Sequence, residues 1–386
     1  MARITASVYT SHVPAIGAAL DLGKTGDAVG FGDFSEVVEV VEERVFEVGD
    51  ARFDVTRQGE IDKEERTGGT LVPIDRVEEA LASVTPEQGT RLRTMMAAAT
   101  APRGTMQLGT RTIRFDQPNI MGILNITPDS FSGGSDHLDD PAGSAALAMQ
   151  MAEDGAAIID LGGESTRPGA ADVWEQDEIA RVIPVVERLK DSGIALSIDT
   201  RKATVMEAGL AAGAHLINDV SALLYDDRAL EVVVTSGAPV VLMHYPGKPS
   251  DPHGNDSYTD PLIEVYDWLE DRIAAVVAAG VDKSRIIADP GIGFGKRSVM
   301  DNLQIVNGLA LFHGLGVPVL LGASRKRLVG ALSNEAPSDK RLGGSLALAL
   351  KAAEQGAQII RVHDVYESVQ AIRIWRGHRD AALSPR

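Results

Sequence analysis

Residues 120–134 read IMGILNITPDSFSGG, an apolar run that breaks at Asn125 into a polar loop with Pro128 and the Gly133-Gly134 pair. The dense Ile, Leu and Met of its first half predict a strand buried on both faces. A buried strand that delivers Asn, Thr, Asp and Ser into a loop has the form of an active-site edge. The same design recurs down the chain. Strands are expected at 120–126, 157–162, 195–199, 216–220, 239–244, 286–290, 318–322 and 358–362. Helices are expected at 142–154, 176–191, 203–212, 261–279, 299–312, 341–354 and 365–376. Eight strand–helix units in about 260 residues predict a (β/α)8 TIM barrel. An open doubly wound sheet is the alternative; against it, no G-x-G-x-x-G follows the first strand.

Upstream, the sequence predicts a small α+β extension over 1–116 with no catalytic constellation, and the barrel over 117–380. Residues 36–55 (EVVEVVEERVFEVGDARFDV) alternate apolar and acidic positions, which predicts short strands or a hairpin turning at Gly49-Asp50. Thr85-Pro86-Glu87-Gln88 has the form of a helix start, with Thr as cap, Pro first and Gln three after the cap, for a helix to Ala99. Residues 101–104 read as a linker, and 108–115 as a hairpin that plugs the barrel floor.

Composition sets the class. Of 386 residues, 44% are hydrophobic and 24% charged, the proportions of an ordinary globular protein. No apolar run reaches the roughly 18 residues of a membrane span, and the amino terminus has no secretion-signal pattern; a cytoplasmic location is expected. With no cysteine, disulfides, thiolate metal sites and a Cys nucleophile are excluded. The net charge of −18 argues against general nucleic-acid binding. An anionic substrate would need a local cluster of cations.

The predicted strands end in polar residues: Asn125, Glu164, Asp199, Asn218, His244, Asp289, Ser324, and then Arg361 and His363. Barrel enzymes build their sites at the carboxyl ends of the strands. Asp199 and Asp289 can accept paired hydrogen bonds from an N–C–N edge such as that of a 2-amino-4-oxo pteridine or guanine, and Asn218 can both donate and accept. Ser324-Arg325-Lys326 and Arg361-x-His363 place cations where barrels bind phosphate. The Gly291-x-Gly293-Phe294-Gly295-Lys296 loop brings backbone and an aromatic wall to a ligand.

MGILNITPDSF, IIDLGGESTRPG, SIDTRK, LINDVSA, DPGIGFGK, GASRK and RVHD resemble, in order and spacing, the motifs of the dihydropteroate synthase family, over about residues 108–376. The resemblance implies condensation of 6-hydroxymethyl-7,8-dihydropterin diphosphate with 4-aminobenzoate, with release of diphosphate and Mg2+ as cofactor. It implies Asp199, Lys326 and Arg361 as catalytic residues. Asp199, Asn218, Asp289 and Lys326, with Met243 and Gly293, would hold the pterin. Asn125, Arg361 and His363 would hold the diphosphate, Asn125 being the Mg2+ ligand. Thr166, Arg167 and Pro168, with Phe131, Phe294 and Ser324, would frame 4-aminobenzoate. A homodimer is implied as well.

Three places depart from that family's pattern. Gly133 replaces an Asp before the Gly pair, YPGKPSDPHGND follows His244, and Asp301 stands where a His is common. They bear on loop closure and arylamine fit rather than on the pterin and diphosphate sets. Two rivals share the pterin ring: a methyltetrahydrofolate:corrinoid methyltransferase-like barrel, and a non-catalytic pterin-binding paralogue. The first has no need of the anion sites, and retention of every site residue weighs against the second. Residues 1–27 separately resemble the start of the protocatechuate 4,5-dioxygenase β subunit, in which the residue matching His12 is an iron ligand. Nothing further along supplies the converging ligands an iron site needs, so a residual segment is expected there.

Overall fold

A computed structural model describes residues 9–10, 44–47, 52–55, 61–64, 71–73, 77–82, 84–127, 140–165, 172–245, 258–296 and 298–383. The chain divides into two compact units, Met1–Ala101 and Pro102–Arg386. The hairpin of Thr105–Leu108 and Arg111–Arg114 lies in the second of these.

In the first unit, Arg44–Glu47 and Arg52–Val55 are strands, but they do not pair with each other. The former pairs with Tyr9–Thr10 and Leu71–Pro73, and the latter with Ile61–Glu64, so of the two alternatives expected over 36–55 the separate short strands are found, not a hairpin between them. The helix Pro86–Thr100 begins where its sequence predicts. The Thr85 hydroxyl accepts from the Gln88 N–H at 3.3 Å, and the Gln88 side chain accepts from the Thr85 N–H at 3.1 Å. Each bond satisfies a donor that the helix start leaves without an intrahelical partner.

The second unit is the barrel. Its strands are β1 (Asn119–Asn125), β2 (Ile158–Gly162), β3 (Ala195–Asp199), β4 (Leu216–Asp219), β5 (Val240–Met243), β6 (Ile286–Asp289), β7 (Leu320–Leu321) and β8 (Ile359–Val362). All are parallel, and each pairs with its sequence neighbour; β8 pairs back onto β1. Between β6 and β7 the ring closes through the single bridge Ala288–Val319. The helices are α1 (Pro141–Asp154), α2 (Glu175–Leu189), α3 (Ala203–Ala212), α4 (Ala229–Ser236), α5 (Pro261–Ala278), α6 (Val299–Asn307), α7 (Arg327–Leu332), α8 (Leu342–Glu354) and α9 (Val365–Leu383). The short α4 and α7 escape a reading by periodicity, because each offers barely two turns. The helix expected over 299–312 ends at Asn307 and continues as a 3-10 turn over Leu309–Leu315.

Side chains alternate along a strand, so every second residue faces the barrel interior. The lowest inward positions, Met121, Ile158, Ala195, Leu216, Val241, Ile287, Leu320 and Ile359, come one from each strand. They form one apolar cluster with Met106, Leu108, Ile113 and Phe115 of the hairpin segment. This is the expected plug. Burying a side chain of this size stabilises by roughly 1.5–3 kcal/mol, so the floor holds the cylinder together. Two residues further along, the inward positions turn polar on five of the strands, with Asp160, Ser197, Asn218, Asp289 and Arg361, and the site begins there.

Candidate active site

Counting by twos from the floor gives Asp160 and Gly162 on β2, Ser197 and Asp199 on β3, and Asn218 on β4. It gives Met243 on β5, Asp289 on β6, Ser324 beyond β7, Arg361 on β8 and His363 just after it. These side chains meet at the carboxyl ends of the strands. The Arg361 guanidinium lies at the centre: Nε donates to Asp160 Oδ2 at 2.6 Å, and Nη2 donates to Asp199 Oδ2 at 2.5 Å. Asn218 Nδ2 donates to the same Asp160 Oδ2 at 2.9 Å. Asp289 accepts from the Gly291 N–H at 2.7 Å.

Burial dominates the electrostatics. Desolvation pushes the Asp199 carboxyl up to about 7, with Asp160 adding to the rise and Arg361 opposing it. It raises Asp289 too, against the pull of the Gly291 N–H, Lys326 and Arg361. Burial also lowers the Lys326 ammonium to about 8, partly offset by Asp289 and Asp199. Desolvation opposes the charge on Arg361 as well, but Asp160, Asp199 and Asp289 outweigh it, and the guanidinium is held above its ordinary range. Lys326 Nζ donates to the Ile292 carbonyl at 2.6 Å and sits 4.1 Å above the Phe294 ring centroid. Phe294 packs in turn with Val220 and Met243. A Cβ at Gly293, where φ is +82°, would come within 3.0 Å of the Lys326 side chain, so the loop passes where only glycine fits.

The cation cluster is smaller than its sequence suggests. Arg325 is committed to Asp364, its Nε donating to Oδ2 at 2.9 Å. His363 is pulled down to about 3 by burial and by Arg361 and Arg325, so it is a neutral imidazole at pH 7. Its Nδ1 lies 3.1 Å from Ser324 Oγ, which also accepts from the His363 N–H at 3.2 Å. Among the described residues of the ring, the charge available to an anion therefore rests on Arg361 and Lys326, and His363 and Ser324 offer neutral hydrogen bonds.

Two strand-end residues turn away. His244 has the opposite parity to Met243, so it faces the helix layer. Its ring packs edge-on against Trp268 at 5.0 Å, and its Nδ1 lies 2.9 Å from Lys296 Nζ. Glu164 lies past the end of β2, where parity no longer holds. It accepts from Arg201 Nε at 3.0 Å, Lys202 Nζ at 2.9 Å and the Val173 N–H at 2.9 Å. Lys202 bridges on to Glu178 at 2.6 Å. Burial alone would raise the Glu164 carboxyl, but these donors hold it below the ordinary range. Glu164 thus ties the end of β2 to Val173, Arg201 and Lys202, and His244 ties the end of β5 to Lys296 and Trp268.

Asp160 is the residue that strand-end reasoning misses. It is fully buried in mid-strand, and its signal is a charge inside an otherwise apolar run, IIDLGG. Asn125 ends β1 half-buried. A Cβ at Gly162 would stand 3.4 Å from Asn125 Oδ1 and 3.5 Å from the Asp199 Cβ, so the glycine keeps the wall between them open. Phe131, Gly133, Thr166, Arg167, Pro168 and the segment after Tyr245 lie outside the described residues, as does His12. Asp301 caps nothing in the ring; it lies in the first turn of α6.

A family model described as "Pterin binding enzyme" matches residues 121–363. Dihydropteroate synthase of Escherichia coli (strain K12) is 46% identical over 266 residues, covering 68% of this chain and 92% of that protein. The chain belongs to the dihydropteroate synthase family. Among solved members of that family, the Xanthomonas albilineans enzyme with 4-aminobenzoic acid superposes with a TM-score of 0.67 at 44% identity, covering 72% of this chain and 98% of that one. The same enzyme in complex with 7,8-dihydropteroate gives 0.64 at 42%, covering 72% and 99%. The (β/α)8 barrel and the membership expected from the motifs are both found. Among the described residues, no helix is long and apolar enough to cross a membrane.

Proposed function

We propose that this protein works as a dihydropteroate synthase in folate biosynthesis. It joins the 7,8-dihydropterin-6-ylmethyl group of a pterin diphosphate to 4-aminobenzoate and releases diphosphate. The single observation that carries the residue-level reading is the Asp199–Arg361–Asp160–Asn218 network beside Asp289 and Lys326. It sets acceptors for an N–C–N edge next to cations for an anion, in one buried ring.

In this reading Asp199, Asn218, Asp289 and Lys326 hold the pterin, with Met243 and Gly293 forming its wall. Ionised Asp199 and Asp289 accept from the ring N–H groups, and Asn218 and Lys326 supply complementary polar contacts. Arg361 takes the diphosphate with the neutral His363 and Asn125. Diphosphate departure leaves a methylene cation conjugated to the pterin; the buried carboxylates stabilise positive charge there, while Arg361 and Lys326 stabilise the leaving anion. The arylamine is neutral at pH 7 and attacks without a strong base. Phe294 and Ser324 are assigned to 4-aminobenzoate, and the family resemblance assigns Thr166, Arg167, Pro168 and Phe131 to the same substrate. The anion-binding arm distinguishes this reaction from methyl transfer on a pterin-binding barrel.

The donor set also fits Mg2+. That ion keeps several waters and takes few protein oxygens when substrate phosphates supply the rest. Among the described residues no group of three His, Cys, Asp or Glu is arranged as a metal cage, while the Asn125 amide stands beside the opening left by Gly162. Asn125 would hold Mg2+, which when bound supplies charge neutralisation to the diphosphate. A homodimer in the cytoplasm is part of the same proposal.

Diphosphate release is the deciding measurement. Release should require the pterin diphosphate, 4-aminobenzoate and Mg2+ together, and EDTA should abolish it. Sustained multiple-turnover release with 4-aminobenzoate omitted, or methyl transfer from a methylpterin, would overturn the assignment.

A further inference from the structure

Asp160 is an inward-facing buried carboxylate of the barrel mouth that the reaction just described leaves without a task. Its position is unusual on three counts. It lies a layer below Asp199, at the level where the interior changes from apolar to polar, and has no exposure to solvent. Its Oδ2 accepts from both Arg361 Nε and Asn218 Nδ2. Its Oδ1 has no hydrogen-bond partner among the described residues, and neither has Ser197 Oγ, which stands directly across from it in register on β3.

Each of these contacts constrains a residue that meets the substrate. A carboxylate paired with an arginine can only accept, so it draws the NH2 side of the Asn218 amide and leaves Oδ1 of that amide for a ligand. An amide that is otherwise free to flip is thereby given one orientation. The same carboxylate takes Nε of Arg361 while Asp199 takes Nη2, which leaves Nη1 of the fork for an anion. A carboxylate kept only for packing would be fully satisfied or replaced by an apolar residue, since burying an incompletely paired charge is costly.

We propose that Asp160 is a positioning residue of the pterin diphosphate site. It fixes which atoms of Asn218 and Arg361 face the substrate, and so acts on the pterin diphosphate and not on 4-aminobenzoate. The role rests on the dihydropteroate synthase reading above.

Asp160→Asn keeps the shape and removes the charge. The wild-type protein is assayed first: no diphosphate release dependent on both substrates overturns the functional reading itself. With wild-type activity in hand, the folded variant should show KM for the pterin diphosphate raised roughly tenfold or more, the scale of a lost charged hydrogen bond. KM for 4-aminobenzoate should stay within about twofold, because uniform damage to the barrel would move both.

A second readout is one that packing alone does not move. Asp199 is acted on by Arg361, Asp160, Glu178 and Asp219. Removing the Asp160 charge removes a repulsion and leaves Arg361 wholly to Asp199, so the acid limb of kcat/KM should move to lower pH. Unchanged pterin KM with an unmoved limb overturns the role. If Asp160→Asn does not fold, Asp160→Glu decides the question, since it keeps the charge and displaces it. The pterin KM should then rise while the acid limb stays near that of the wild type; a wild-type pterin KM overturns the role.

Discussion

The floor and the mouth of the barrel are made by the same eight strands, two residues apart, and they obey opposite rules. The floor is a closed apolar layer sealed by a hairpin, with Met121, Leu108, Ile158 and Leu216 almost wholly buried and nothing polar to satisfy. The mouth gathers Asp160, Asp199 and Asp289, all buried, with the half-buried Arg361 and Lys326, and desolvation works against the ordinary charged form of Asp199, Asp289, Lys326 and Arg361. The difference teaches that one strand divides its labour by position. Stability is made at its amino end, and it is partly given up at its carboxyl end for a pre-arranged charge pattern.

Substitutions at the two ends should therefore separate activity from stability. Asp199→Ala or Lys326→Ala should abolish turnover, by about 10³-fold or more in diphosphate release, the scale of removing a preorganised electrostatic group. The melting temperature should change little. Near-normal activity in either variant would break the assignment of the mouth. Leu108→Ala, in the hairpin plug, should do the reverse, costing about 2–5 kcal/mol in denaturant unfolding while kcat of the folded fraction holds. A large fall in kcat with no loss of stability would show that the floor is more than a support.

The pH response should sharpen the contrast. Because burial holds Asp199 at about 7, kcat/KM for the pterin diphosphate should fall as pH drops through about 7. A profile flat from pH 5 to 8 would remove Asp199 from the free-enzyme titration. For stability the sign is opposite. The unfolded chain releases this proton near the ordinary carboxylate value of about 3.9. The folded chain retains the proton up to about 7, so the stabilising contribution is present below the lower value and lost as pH rises through the upper one. The melting difference between wild type and Asp199→Asn, followed from pH 4 to 8, checks it. The smallest effect lies outside the barrel: Thr85→Ala, which removes the capping box of the helix Pro86–Thr100, should cost about 1 kcal/mol in the stability of the first unit alone.

How much of this is legible in the sequence follows from the same geometry. The barrel is visible because each buried strand is a short apolar run bounded by turn residues, and α3 is placed to the residue because Gly213 ends it in a left-handed conformation. Asn218, Asp289 and Arg361 are legible as site residues because they end such runs with inward parity. His244 also ends a run, but off parity, so it points at Trp268 and Lys296 instead. Glu164 stands past the strand, where alternation no longer predicts direction. Asp160 is hidden by lying inside its run. The neutrality of His363 and the pairing of Arg325 with Asp364 cannot be read at all from a run of basic letters, since both depend on which neighbours the fold supplies. In the first unit the same reason makes the strands legible but not their pairing: local alternation says strand, and partner choice is tertiary.

The cylinder has a seam. Between β6 and β7 the backbone ladder thins to the one bridge at Ala288 and Val319, and β7 itself is two residues long. Asp289 lies on one bank of that seam, and Ser324 and Lys326 on the other. A pterin held by Asp289 and Lys326 would span the gap like a staple, closing by ligation what the sheet leaves loosely stitched. Amide hydrogens over 319–322 should then exchange fastest among the barrel strands in the free protein and slow most when pterin is added, so that occupancy of the site is recorded as stiffness of the wall.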